Sequence, residues 1–168
     1  MAKLQRILNL LFIFTLFFFL VAAYVYQFMT GSPPCYLCIL QRYGMIGVAA
    51  ALLMNCRFGI KVQHYGLAIV SAMIGRFFSL RQITLHICPE FPAYDKTVLG
   101  IDLYMWAFLI FTCSILACAI LAMLYGFTKD KNFPMIWGIP ERCVFWAIVF
   151  ITVCNLATTL LECGFSKC

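Results

Sequence analysis

Charge is scarce in this sequence. Lysine, arginine, aspartate and glutamate supply 11% of its 168 residues, against about 25% in an ordinary soluble domain. Apolar side chains reach 65%, where a soluble domain holds about 45–50%. That balance excludes a soluble fold with polar faces turned to water and leaves a helical membrane domain. Acidic residues are the scarcest charges, six against twelve basic ones, for a net charge of +6. A basic balance can mean nucleic-acid binding, but there is no long basic tract and no nucleic-acid motif. Internal repeats and low-complexity segments are also missing, and no stretch is left for a separate soluble domain.

What is present is a series of apolar runs. A helix needs about 20 such residues to cross the hydrocarbon core. Five segments qualify or nearly do, at roughly 8–29, 36–55, 62–80, 103–126 and 143–162 on that length rule. The expected fold is an all-α membrane protein: a four-helix transmembrane bundle plus a fifth transmembrane helix. Lys3 and Arg6 precede the first segment as they would a signal peptide. Its apolar run is too long for one, and no small-residue cleavage site closes it, so a retained anchor is expected.

Orientation follows from the lysines and arginines. Lys3 and Arg6, Arg57 and Lys61, and Lys129, Lys131 and Arg142 all fall on one side if the five segments alternate. Glu90, Asp95, Asp102 and Glu162 fall on the other, with fewer bases. The N-terminus is therefore expected in the cytoplasm. The loop around residue 35, residues 81–102 and the C-terminal tail then face outside, which in a bacterium is the oxidising periplasm.

Ten cysteines are spread along the chain. Cys113, Cys118 and Cys154 lie in apolar runs, where cysteine packs as a small hydrophobe. Cys56 and Cys143 fall at cytoplasmic segment ends, where thiols stay reduced. Cys35, Cys38, Cys88, Cys163 and Cys168 remain. The stretch "GSPPCYLCILQRYG" places Cys35 and Cys38 at the start of the second segment, after Pro33 and Pro34. A helix start carries partial positive charge and free N–H groups, which stabilise a thiolate. Thiolates are the attacking species in disulfide exchange. Spacing, helix start and outside location all favour a redox-active pair, with Cys35 the nearer to a soluble partner and Cys38 one turn deeper.

The competing readings are a zinc half-site or chance packing. Zinc usually takes four ligands, and no second Cys-x-x-Cys is present. Copper would suit soft Cys and Met ligands, yet the eight methionines are scattered without a Met-x-x-Met cluster.

Arg42 follows Cys38 by four residues, on the same helix face. It reads either as a snorkelling anchor or as the holder of a polar group on a membrane-soluble molecule. Gln41 sits beside it. The outer end of the third segment, "SLRQITLHICPEFPAY", adds Arg81, Gln82, His86 and Cys88. If the helix continues past residue 80, Gln82 and His86 stand one turn apart, and histidine can move protons near neutral pH. Tyr94, Tyr104 and Trp106 read as an aromatic belt.

"CYLCILQRYG" resembles the Cys-x-Leu-Cys-x-x-(Gln/Glu)-Arg signature of the bacterial disulfide-bond-formation protein B family, DsbB-like membrane oxidoreductases. "RQITLH" resembles the matching region of shorter members. The resemblance is placed on residues 1–126, as a four-helix membrane domain. Residues 127–168 then add a cytoplasmic loop, a fifth transmembrane helix and a short periplasmic tail.

The resemblance implies an inner-membrane enzyme that reoxidises a periplasmic DsbA-like thiol oxidase of the thioredoxin type. Its electrons would pass to ubiquinone or menaquinone in the membrane. It implies that Cys35 and Cys38 are the redox pair, that Arg42 contacts the quinone, and that Gln82 and His86 lie near a second quinone contact. The family's second cysteine pair is missing. Either Cys88, Cys163 and Cys168 together replace it as a relay, or Cys163 and Cys168 form their own bridge, or Cys35–Cys38 works alone. Two rivals outside the family are a membrane metal-binding protein holding Cu or Zn at Cys35/Cys38 and a small assembly subunit with incidental thiols. A vitamin K epoxide reductase-like protein would carry its pair before a late helix rather than the second.

Overall fold

The computed structural model describes residues 2–31, 35–87, 97–98, 100–127 and 138–163, with five long helices and one short β-ribbon among them. Helix α1 runs Ala2–Thr30, α2 Tyr36–Phe58, α3 Val62–Ile87, α4 Leu103–Gly126 and α5 Ile139–Cys163. The ribbon pairs β1 (Thr97–Val98) with β2 (Ile101–Asp102), antiparallel, with Thr97 opposite Asp102. Gly100, at φ 78°, takes the left-handed turn between them, a conformation that a side chain would strain.

Four helices are long and apolar enough to cross a membrane: Leu4–Met29, Tyr36–Phe58, Leu103–Gly126 and Ile139–Leu161. α3 has the length, 26 residues, but Gln63, His64, Arg76, Arg81, Gln82 and His86 make it more polar than the rest. It nevertheless lies in the bundle, packed between α2 and α4. α2 is the central helix. In its span 61% of residues are buried, against 28% or less in the other three.

α1, α3, α4 and α5 each bury a stripe at three- and four-residue spacing, the signature of one packed face, whereas α2 is buried on most sides. The stripes include Ile13, Leu16, Leu20 and Tyr24 on α1, and Tyr65, Ala68 and Ala72 on α3. α4 contributes Ala107, Phe111, Ser114, Cys118 and Leu121, and α5 contributes Glu141, Val144, Ile148, Ile151 and Asn155. The opposite faces carry Phe14, Phe18, Val70, Met73, Phe77, Leu116, Ile120, Phe150 and Val153, all exposed. Helices apolar on both faces are stable in lipid, where the outer face needs no water-compatible side chain.

The tightest crossing joins α2, α3 and α4. A Cβ on Gly44 would lie 2.9 Å from the Gly75 Cα, and a Cβ on Gly75 would lie 2.2 Å from Cζ of Phe111. Two glycines thus let α2 and α3 touch backbone to backbone while the Phe111 ring closes the gap from α4. Small residues at such crossings are how membrane helices approach closely without a hydrophobic drive between them.

The helices alternate in direction. At one end Gln5 Nε2 donates to the Leu121 carbonyl at 3.5 Å, and Asn55 Oδ1 lies 3.0 Å from His64 Nδ1. Arg6 pairs with the fully buried Glu141, its Nε donating to Oε1 at 2.7 Å. Glu141 Oε2 also accepts from the Gly138 N–H at 3.0 Å, capping the start of α5. α1 and α5 therefore run parallel, and α5 packs against both α1 and α2. Cys35 and Cys38 sit at the opposite end.

Candidate active site

Cys35 is the N-cap of α2, in extended conformation at φ −69° and ψ 151°. Its Sγ accepts from the Cys38 N–H at 3.1 Å, so a sulfur fills the place that Ser or Asp oxygen takes at ordinary helix starts. Cys35 and Cys38 are joined in a disulfide, with their Cα atoms 5.1 Å apart. Both residues are half-buried. On reduction, charge on Cys35 would meet that N–H and the positive end of the α2 dipole.

Gln82 reaches the sulfurs from α3. Its Nε2 lies 3.5 Å from Cys35 Sγ and 3.7 Å from Cys38 Sγ. Its Oε1 accepts from Gln41 Nε2 at 2.9 Å. That bond fixes the amide's orientation: with the oxygen held by Gln41, the nitrogen is turned to the disulfide. Both glutamines are buried. α3 runs on to Ile87, seven residues past the expected end at 80, and this extension delivers Gln82. His86 follows one turn later. Its Nδ1 is 2.8 Å from the Gln82 carbonyl, and its ring stacks on Tyr104 of α4 at 5.0 Å between centroids. The Tyr104 hydroxyl donates to Asp102 Oδ2 at 2.6 Å, and Trp106 Nε1 donates to the Val98 carbonyl at 3.1 Å. The belt aromatics thus also tie the ribbon to α4.

Arg42 is buried and faces α1. Its Nη1 donates to Gln27 Oε1 at 2.8 Å and its Nη2 to the Ala23 carbonyl at 3.4 Å. The guanidinium lies 4.3 Å from the centre of the Tyr24 ring, a cation–π contact that gains strength away from water. Among the described residues Arg42 forms no ion pair. The three expected quinone contacts therefore stand in three places around α2. Gln82 stands at the disulfide, Arg42 is one turn deeper against α1, and His86 lies against α4.

Of the proposed relay, Cys88 and Cys168 lie outside the described residues. Cys163 closes α5, with its side chain also outside them. Cys118 and Cys56 are buried as packing residues, whereas Cys113 and Cys143 are exposed. Among the described residues no three His, Cys, Asp or Glu side chains gather as a metal site. Sequence reasoning missed Tyr24, Gln27 and Asn155. The signal was there in part: a Gln and an Asn inside otherwise apolar runs have few reasons to be tolerated unless they face the bundle interior.

An all-helical bundle with apolar spans and a disulfide capping one of them defines a membrane protein of thiol–disulfide type. The family model of Disulfide bond formation protein DsbB matches residues 5–94, more than half of the sequence. The chain belongs to the DsbB family and is a multi-pass membrane protein. The Disulfide bond formation protein B of Chromobacterium violaceum is 40% identical over 68 residues, 38% of this chain. The chain spans about 40% of that relative's length. No solved structure matches it. The family match ends before α4, so α4 and α5 both lie beyond it.

Proposed function

We propose that the protein is a quinone-reducing thiol–disulfide oxidoreductase of the bacterial inner membrane, and that Cys35–Cys38 is its one working pair. The observation that carries the reading is the half-buried disulfide at the start of α2, with the Gln82 amide nitrogen facing both sulfurs. The substrate is the dithiol of a soluble periplasmic thiol oxidase of the thioredoxin type. Its thiolate attacks Cys35 Sγ. The Cys35–Cys38 bond breaks, a mixed disulfide forms on Cys35, and the electron pair leaves on Cys38 Sγ. The partner's second thiolate then displaces Cys35, and the partner departs with its own disulfide. Two electrons and two protons have entered the pair. Gln82 Nε2 offers a hydrogen bond to whichever sulfur carries charge, and the Cys38 N–H does so for Cys35.

Arg42 is the residue that would hold a quinone. Among the described residues its buried guanidinium meets neutral acceptors and a ring, which leaves its charge for a carbonyl oxygen. The bound quinone would supply an acceptor for two electrons and two protons. Placement of the disulfide end in the periplasm rests on the bases at the opposite end, where Arg6, Arg57, Lys61 and Arg142 gather.

The test is quinone reduction by purified protein, with a reduced thioredoxin-fold oxidase as donor. Wild type should turn over and Cys38→Ser should not. A folded wild type that is inactive with both ubiquinone and menaquinone analogues sinks the reading.

A further inference from the structure

The geometry points to a part for the fifth helix in this site: Asn155 of α5 positions Arg42 by holding Tyr24. The inference rests on the quinone reading above. Arg42 lies over the Tyr24 ring, and the Tyr24 hydroxyl donates to Asn155 Oδ1 at 2.9 Å. Asn155 is fully buried, in the last third of an apolar helix. One turn further, Thr159 Oγ1 lies 3.5 Å from the Tyr43 hydroxyl of α2. Residues 155 and 159 share a helix face, so one face of α5 meets the hydroxyls of Tyr24 on α1 and Tyr43 on α2.

Two features give the link a purpose beyond packing. First, a tyrosine ring swings about its Cα–Cβ bond, and a hydrogen bond on the hydroxyl stops that swing. Holding the hydroxyl therefore holds the ring in its place beneath the guanidinium. Second, among the described residues Arg42 has no carboxylate to anchor it. Gln27 and Ala23 hold two of its nitrogens from α1, and the ring sets the remaining direction. A charged group so placed answers to small shifts of its support, because Coulomb and cation–π terms are steep where water is excluded. α5 lies wholly outside residues 5–94, the segment that the family model matches. This helix reaches the ring that carries the Arg42 charge.

A double-mutant cycle tests it. Asn155→Leu and Tyr24→Phe both remove the Tyr24–Asn155 hydrogen bond, and Tyr24→Phe also removes the hydroxyl's contacts with Thr158 and Arg42, so the effect of Asn155→Leu should be contained in that of Tyr24→Phe. Quinone KM and kcat are measured for each single variant and for the pair, using short-chain ubiquinone and menaquinone analogues and a reduced thioredoxin-fold oxidase. Each single variant should raise the quinone KM about fivefold, with kcat changed less than about twofold, and the pair should match Tyr24→Phe rather than multiply the two effects. Val153→Ala, on the lipid face of the same helix, should leave KM where it is. An unchanged KM in Asn155→Leu, or effects that multiply in the pair, overturns the inference while the oxidoreductase reading stands. If Asn155→Leu does not fold, Asn155→Ala takes its place, and a wild-type KM in that variant overturns it. A wild type without quinone turnover removes both readings.

Discussion

Gln41 and Gln82 meet across the α2–α3 interface, Nε2 to Oε1, at 2.9 Å, and the bond turns the Gln82 nitrogen toward the disulfide. Neither glutamine could do this alone. An amide can flip, and only a donor on its oxygen side decides which atom faces the sulfurs.

Gln82→Leu should therefore slow thiol exchange with the soluble donor. It removes the amide from both sulfurs and strands the Gln41 donor in a buried place, which costs about 1–3 kcal/mol. The expected loss in the single-turnover rate of donor oxidation is about tenfold. Gln41→Leu should act in the same direction through orientation and by a smaller factor. Rapid-quench trapping of the mixed disulfide measures both. A Gln82→Leu rate equal to wild type would show that the amide only fills space.

Arg42→Ala should raise the quinone KM more than it alters the donor's KM, because its partners lie toward α1 and away from the entry to Cys35. If the quinone KM does not move, Arg42 is a membrane anchor.

Gly75→Ala should destabilise the bundle. The added methyl would lie 2.2 Å from Phe111 Cζ, where nothing can stand, so the ring must move. Overpacking of this kind costs about 1–3 kcal/mol. Phe111→Leu in the same chain should recover part of the loss. Thermal unfolding in detergent reads it, and an unshifted midpoint in the single variant would contradict the crossing described for α2, α3 and α4.

Arg6→Met leaves Glu141 buried and unpaired at the start of α5. Removing one partner of a buried ion pair costs about 3–5 kcal/mol, and Arg6 is partly exposed, so the lower end applies. Arg6→Met with Glu141→Gln should regain most of it, since glutamine can still accept from Gly138. Equal losses in the single and double variants would mean that the charge is not the cause.

Changing Cys88, Cys163 and Cys168 together to serine should leave steady-state turnover within about twofold of wild type if Cys35–Cys38 works alone. Abolished turnover, or an alkylation map joining Cys88 to the tail, would establish a relay instead.

Much of this was legible from residue order. The scarcity of charge and the length of the apolar runs require lipid-facing helices, because in a bilayer only helices and closed β-barrels satisfy the backbone, and apolar runs of about 20 residues suit the helix. The Cys-x-x-Cys after a proline pair places a dithiol at a helix start, because proline ends the preceding loop and suits the first helical turn. Both are short-range facts of composition and spacing. Other things depended on which helices touch. Arg42 shares a face with Cys38 by count, yet its head goes to Gln27 and Tyr24, because α1 offers acceptors there. Gln82 stands 44 residues after Cys38 and faces it only because α3 runs on to Ile87 and lies against α2. Asn155, 131 residues from Tyr24, reads in sequence as a lone polar residue in an oily run. Hydrogen bonds reach about 3 Å, and no periodicity in one helix says which side chain of another will come that close. The sequence alone determined the membrane, the helices and the dithiol at a helix start. Packing decided which polar side chains surround that dithiol, because α2 is the helix that its neighbours enclose.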